Sequence, residues 1–122
     1  MAKKQRDMRP MRQGDVLIIP VGKLPGNAQR AKVVGGRVVC QFGEVTGHAH
    51  AIKADEVISY TDTEETSTVV EALANGARAW LEVCLKASLT HEEHGAISLS
   101  PGIYEVRRQR EYTPEQIRFV ND

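Results

Sequence analysis

All four histidines of this chain stand in two short segments, His48 and His50 in the run Gly47-His-Ala-His, and His91 and His94 in the run His-Glu-Glu-His. Four histidines scattered at random over 122 positions would seldom pair twice. Neutral imidazole binds Zn, Ni, Cu or Fe well, and two pairs hold enough nitrogen for a shell with Zn–N near ~2 Å. Along a strand, residues two apart point to one face, so His48 and His50 can offer two rings to a single point. A spacing of three would split His91 from His94 across a strand. The second segment therefore calls for a turn or helical stretch, with Thr90 placed to cap it and Gly95 to end it. Glu92 and Glu93 are the candidate catalytic carboxylates, and Glu44 lies close in sequence. Such a group can complete a ligand set, orient an imidazole, or act as general base on a water held by the ion. The expected cofactor is one divalent metal ion, zinc first, with Ni, Fe or Mn also compatible. The competing arrangement is a histidine-lined pocket without metal, whose rings give and take protons near neutral pH.

These segments must be positioned by strands. Val16 to Ile19 is a short apolar run that Pro20 should end, after a turn at Gln13-Gly14-Asp15. Residues 22–30 are a Gly/Pro/Asn loop. Gly35-Gly36, between Lys32–Val34 and Arg37–Phe42, has the chemistry of a two-residue hairpin turn. His48–Ile52 and Val57–Tyr60 read as further strands, Gly47 as a bulge or tight turn, and 61–68 as a polar acidic loop. Thr68 and Glu71 have capping-box spacing and Asn75-Gly76 is a stop, so 69–75 predicts two turns of helix. Residues 79–89 alternate like one strand. Ile97–Leu99, then Ser100-Pro101-Gly102, then Ile103–Arg107 predicts a hairpin about a type II turn. Thr113-Pro114 predicts a short helix from 114. Trp80 and Phe42 read as core residues.

The chain fits one domain. It divides into a basic, flexible N-terminal tail over 1–12 and a single β domain over 13–122. The fold class is mostly β, a small antiparallel barrel or sandwich with at most one or two short helices. No apolar run is long enough to cross a membrane and the charged start lacks the core of a secretion signal, so a cytoplasmic protein without membrane contact is expected. Cys40 and Cys84 lack metal-site spacing and read as reduced, buried thiols. The formal net charge of zero conceals segregation. Residues 1–33 hold eight Lys/Arg against two Asp, while 44–93 hold ten acids against three bases. Such ends could attract within the fold, pair subunits into a homo-oligomer, or present a basic arm to nucleic acid.

The histidine pair on a strand followed by a later histidine segment and a proline-glycine turn, at His48, His50, His94, Pro101 and Gly102, resembles the metal-binding pattern of cupins. That resemblance implies a β-barrel with a metal in its mouth. The chain departs from it in lacking a glutamate soon after the first pair and in placing His94 before the Pro-Gly turn rather than after it. Residues 89–112 are also similar to a family of short uncharacterised bacterial and phage proteins, a likeness that implies no activity.

The leading expectation is a metal-dependent enzyme of hydrolase or lyase type, activating water against a small polar substrate at His48, His50, His91 and His94. The second is a non-catalytic module binding nucleic acid or an acidic partner through the basic tail and a face of Arg107, Arg108, Arg110 and Tyr112, where arginine holds phosphate and tyrosine stacks a base. A cross-strand ion-pair surface explains those arginines equally well. The third is a structural protein stapled by its metal.

Overall fold

The computed structural model of the chain describes residues 9–43, 45–63 and 66–109. β1 (Met11–Gln13) turns through Gly14, at φ 57°, into β2 (Val16–Val21), and β3 (Gln29–Arg30) follows the loop. β4 (Arg37–Phe42) and β5 (Ala49–Lys53) pair with each other, and a 3-10 turn over Ala54–Glu56 leads into β6 (Val57–Thr61). The helix α1 (Val69–Ala74) precedes β7 (Ala79–Val83), β8 (Ala87–Leu89), β9 (Ile97–Leu99) and β10 (Gly102–Arg108). Six strands make one antiparallel sheet in the order β1-β2-β10-β7-β6-β3. The pairs β4-β5 and β8-β9 are joined by a bridge between Ala51 and Thr90 and form a second layer.

The fold is mostly β and sandwich-like, and the described strands close no barrel. Its core lies between the layers. Val16, Ile18, Leu81, Val83 and Val106 of the large sheet meet Val38, Cys40, Ile52, Leu89 and Leu99 of the other. Alternation selects them: Val16 and Ile18 are buried while Leu17 and Ile19 are half-buried. Each fully buried side chain of this size contributes about 1.5–3 kcal/mol by leaving water. Cys40 sits among them, and burial pushes its thiol up to about 12. The helix starts as its sequence requires. Thr68 accepts from the Glu71 backbone N–H and Glu71 accepts from the Thr68 N–H, a complete capping box, and Gly76 follows the end at φ 85°.

Several expectations are corrected. Pro20 does not end its strand, which runs to Val21. β1 reaches only as far as Met11 opposite Ile18, so Pro20 sits where β2 has a neighbour on one side only, a position that tolerates proline. Met11 and Arg12, assigned to the tail, pair in β1 because Met11 packs against the core. Gly35 and Gly36 do turn, both at positive φ, yet the turn closes on the single bridge Val34–Arg37, and β4 takes β5 as its partner. Residues 79–89 are two strands rather than one. Both neighbours of β7 begin opposite Val83, at Val57 and Gly102, so the ladder stops there and Cys84 and Leu85 turn outward, Leu85 being 83% exposed. Phe42 is exposed as well, since it lies at the last position of β4.

The hairpin about Pro101-Gly102 does not form. β9 pairs with β8, and Gly102, at φ 151°, already belongs to β10 opposite Val83. Burial decides this, because Leu99 is needed in one layer while Tyr104 and Val106 are needed between β2 and β7 in the other. Pro101 thus marks a crossing between layers, tied by the Tyr104 hydroxyl donating to Ser100 O at 2.6 Å. The cupin-type barrel falls with that crossing. The helix expected from 114 lies outside the described residues.

Candidate metal centre

The Ala51–Thr90 bridge positions the site. Ala51 N–H donates to Thr90 O at 3.0 Å, Thr90 N–H to Ala51 O at 2.9 Å, and the Thr90 hydroxyl to the same carbonyl at 3.2 Å. That hydroxyl therefore does not cap the next segment, as its position had suggested. Ala51 follows His50 and Thr90 precedes His91, so pairing these two residues brings both histidine segments side by side. The turn before β5 is closed by Gly43 N–H to His48 O at 2.8 Å and His48 N–H to Val45 O at 3.0 Å, with Gly47 at φ 89°.

All four rings meet in one cleft of about 330 Å³. The centroids of His50 and His91 are 4.2 Å apart, those of His91 and His94 4.7 Å, His50 and His94 5.7 Å, and His48 and His91 5.8 Å. His48, His91 and Glu92 each offer a ligand atom, all within 4.8 Å of one another. His50 and His94 stand outside that trio but face the same space. A Cβ on Gly14 would lie 3.3 Å from the Nε2 of each.

The carboxylates divide the work differently from the sequence reading, which treated them as interchangeable bases. Glu92 accepts from the Ala49 N–H at 3.0 Å, and that bond holds its carboxyl below the usual range. It is thereby aimed at the ligand cluster. Glu93 places an oxygen 3.3 Å from His48 Nδ1, and its backbone N–H donates to His91 Nδ1 at 3.0 Å. His50 is buried; burial lowers its pKa, positive charge on His91 or His94 lowers it further, and Asp15 and Glu92 pull the other way. Two buried polar atoms of the cleft make no hydrogen bond among the described residues: His48 Nδ1, whose 3.3 Å approach to Glu93 falls short of hydrogen-bond geometry, and Gln41 Oε1. Imidazoles, one fixed carboxylate and unsatisfied polar atoms form a donor set compatible with a divalent first-row ion. A larger hollow of about 790 Å³ between Arg30, Asp55, Glu82 and Lys86 assembles no comparable cluster among the described residues.

Sequence reasoning passed over three residues here. Gln13, read as part of a turn, accepts from His50 Nδ1 at 2.8 Å. Gly14 and Gly43 leave space for the rings: a Cβ on Gly43 would come within 2.9 Å of His48 Cβ and 3.2 Å of His91 Nε2. The turn read at Gln13-Gly14-Asp15 was the one hint for the first two of them, and Gly43 carried none.

Residues 12–109 match the model of a family described as "Domain of unknown function (DUF8820)". The chain belongs to the DUF8820 family. No curated protein and no solved structure matches it. The DUF8820 span takes in all four histidines, Gln13, both close-approach glycines and nearly every described strand. No described helix of this DUF8820 domain is long and apolar enough to cross a membrane.

Of the expected arginine face, Arg107 is engaged within the domain. The buried Glu105 carboxylate receives Nε and Nη2 of both Arg78 and Arg107 at 3.2–3.3 Å. Burial would raise this carboxyl, and the two guanidiniums outweigh it and hold it below its ordinary value. Arg78 also lies over the Trp80 ring, 5.1 Å from its centroid. Arg108 is half-buried opposite Val16, while Arg110, Tyr112 and Glu44 lie outside the described residues.

Proposed function

We propose that this DUF8820 chain binds one divalent transition-metal ion, zinc first, through His48, His91 and Glu92, with His50 and His94 facing the same cleft. We further propose that the loaded site activates water against a small polar substrate, in the manner of a hydrolase or lyase. The observation that carries the reading is the grouping of three ligand atoms within 4.8 Å, drawn from segments more than forty residues apart and held together by the Ala51–Thr90 bridge. Three protein ligands beside an accessible cleft suit a catalytic site, which keeps a position for water or substrate, better than a closed structural one. A bound ion there supplies Lewis acidity toward an oxygen atom. The protein's own part is geometric: Ala49 N–H aims Glu92, and a Glu93 oxygen stands 3.3 Å from His48 Nδ1, near enough to orient that imidazole.

Elemental analysis of protein purified after zinc reconstitution tests this, with the doubly substituted His48→Ala, His91→Ala protein alongside. The expected result is about one equivalent in the wild type and none in the variant. Equal metal in both, or none in either, removes the reading.

A further inference from the structure

We infer that Gln13 is a positioning residue that fixes which nitrogen of His50 faces the cleft. The Gln13 amide nitrogen donates to two backbone carbonyls, Leu89 O and Gly95 O, each at 2.9 Å. Carbonyls only accept, so both amide hydrogens are committed and the orientation of the side chain is decided. Its oxygen then points at His50 Nδ1, 2.8 Å away, and can only accept. In neutral His50 the proton therefore sits on Nδ1. The Nε2 lone pair is left facing the Gly14 turn, beside His94 Nε2.

The neighbouring ring is set the opposite way. His91 Nδ1 accepts from the Glu93 N–H, so neutral His91 carries its proton on Nε2. In the metal-free protein two rings 4.2 Å apart thus present unlike atoms, a bare nitrogen from His50 and an N–H from His91, and ligation at His91 Nε2 would move that proton to Nδ1 and displace the Glu93 N–H from it. Gln13 is 2% exposed and reaches β8 and the segment after His94 from the far end of the chain, so its geometry is held on three sides. A free lone pair on His50 is what an incoming ion or a substrate proton requires. The positioning role toward an ion rests on the metal reading above; the tautomer does not.

The test is a long-range proton–nitrogen correlation spectrum of metal-free protein, taken where the histidines are neutral. Wild type is expected to show His50 protonated at Nδ1 and bare at Nε2. Gln13→Leu, which removes the acceptor, is expected to lose that preference. A wild-type spectrum with the proton on His50 Nε2 overturns the inference without need of any variant, as does an unchanged spectrum in Gln13→Leu. A wild type that binds no zinc but shows the Nδ1 tautomer contradicts the metal reading and leaves the assignment of Gln13 supported.

Discussion

At the scale of single residues, the site depends as much on what is missing as on the ligands. Gly43 lies so close to His48 and His91 that a methyl group there would displace one of them. Gly43→Ala should therefore weaken zinc binding by about 10-fold or more, an effect of the size seen when supporting residues of metal sites are altered. Competition with a chromophoric chelator measures it, and an unchanged affinity would show that the two rings need not keep this spacing. The histidines themselves were legible in the sequence because type and spacing are local properties. Gln13 and Gly43 were not, because their roles are defined only by distances between segments far apart in the chain. Glu92 and Glu93 were legible as a pair but could not be told apart. What separates them is the Ala49 N–H, which reaches one carboxylate and leaves the other against His48.

At the scale of elements, a short isolated bridge does more for the site than any full strand pairing. Thr90→Pro removes both the N–H and the hydroxyl that donate to Ala51 O and leaves that carbonyl without either. The expected cost is about 1–3 kcal/mol of stability from the lost bond and the buried acceptor. Zinc affinity should fall with it, since the bridge sets the spacing of the histidine segments. Chemical denaturation and metal titration of the same variant read both, and a stable variant with full affinity would argue that other contacts hold the cleft. The elements encoded by local chemistry appeared where expected: α1 between its capping box and Gly76, and β2 from the start of its apolar run at Val16. Those whose fate depends on partners did not. The alternation of residues 79–89 continues past Val83, but its neighbours end there, and no local pattern reports where a partner strand stops. Pro101-Gly102 likewise carries good turn chemistry and is spent on a crossing between layers, because Leu99 and Tyr104 bury themselves in different sheets.

At the scale of the whole molecule, the large sheet isolates a charged cluster on the face opposite the core, and the histidine cleft lies where the smaller layer meets the first strands. Glu105, buried between two half-exposed arginines, ties β10 to β7 from outside. Its folded-state pKa is depressed, so its contribution is present above the ordinary carboxylate range and is lost as pH falls through the folded value. Glu105→Gln should cost about 1.5–3 kcal/mol at pH 7, the worth of hydrogen bonds to a charged group. The gap to wild type should begin to narrow as the pH falls below the ordinary glutamate value of about 4.3 and should close only as it passes through the depressed folded value. Urea unfolding at pH 7 and across that range tests this, and a gap independent of pH would mean that packing, not charge, holds the cluster. The central claim, that two distant histidine segments converge on one ion, is tested most directly by X-ray absorption at the zinc edge of the reconstituted protein. The expected spectrum has a nitrogen and oxygen first shell near ~2.0–2.1 Å with outer-shell scattering from at least two imidazoles. A shell without imidazole, or one containing sulfur, would contradict it.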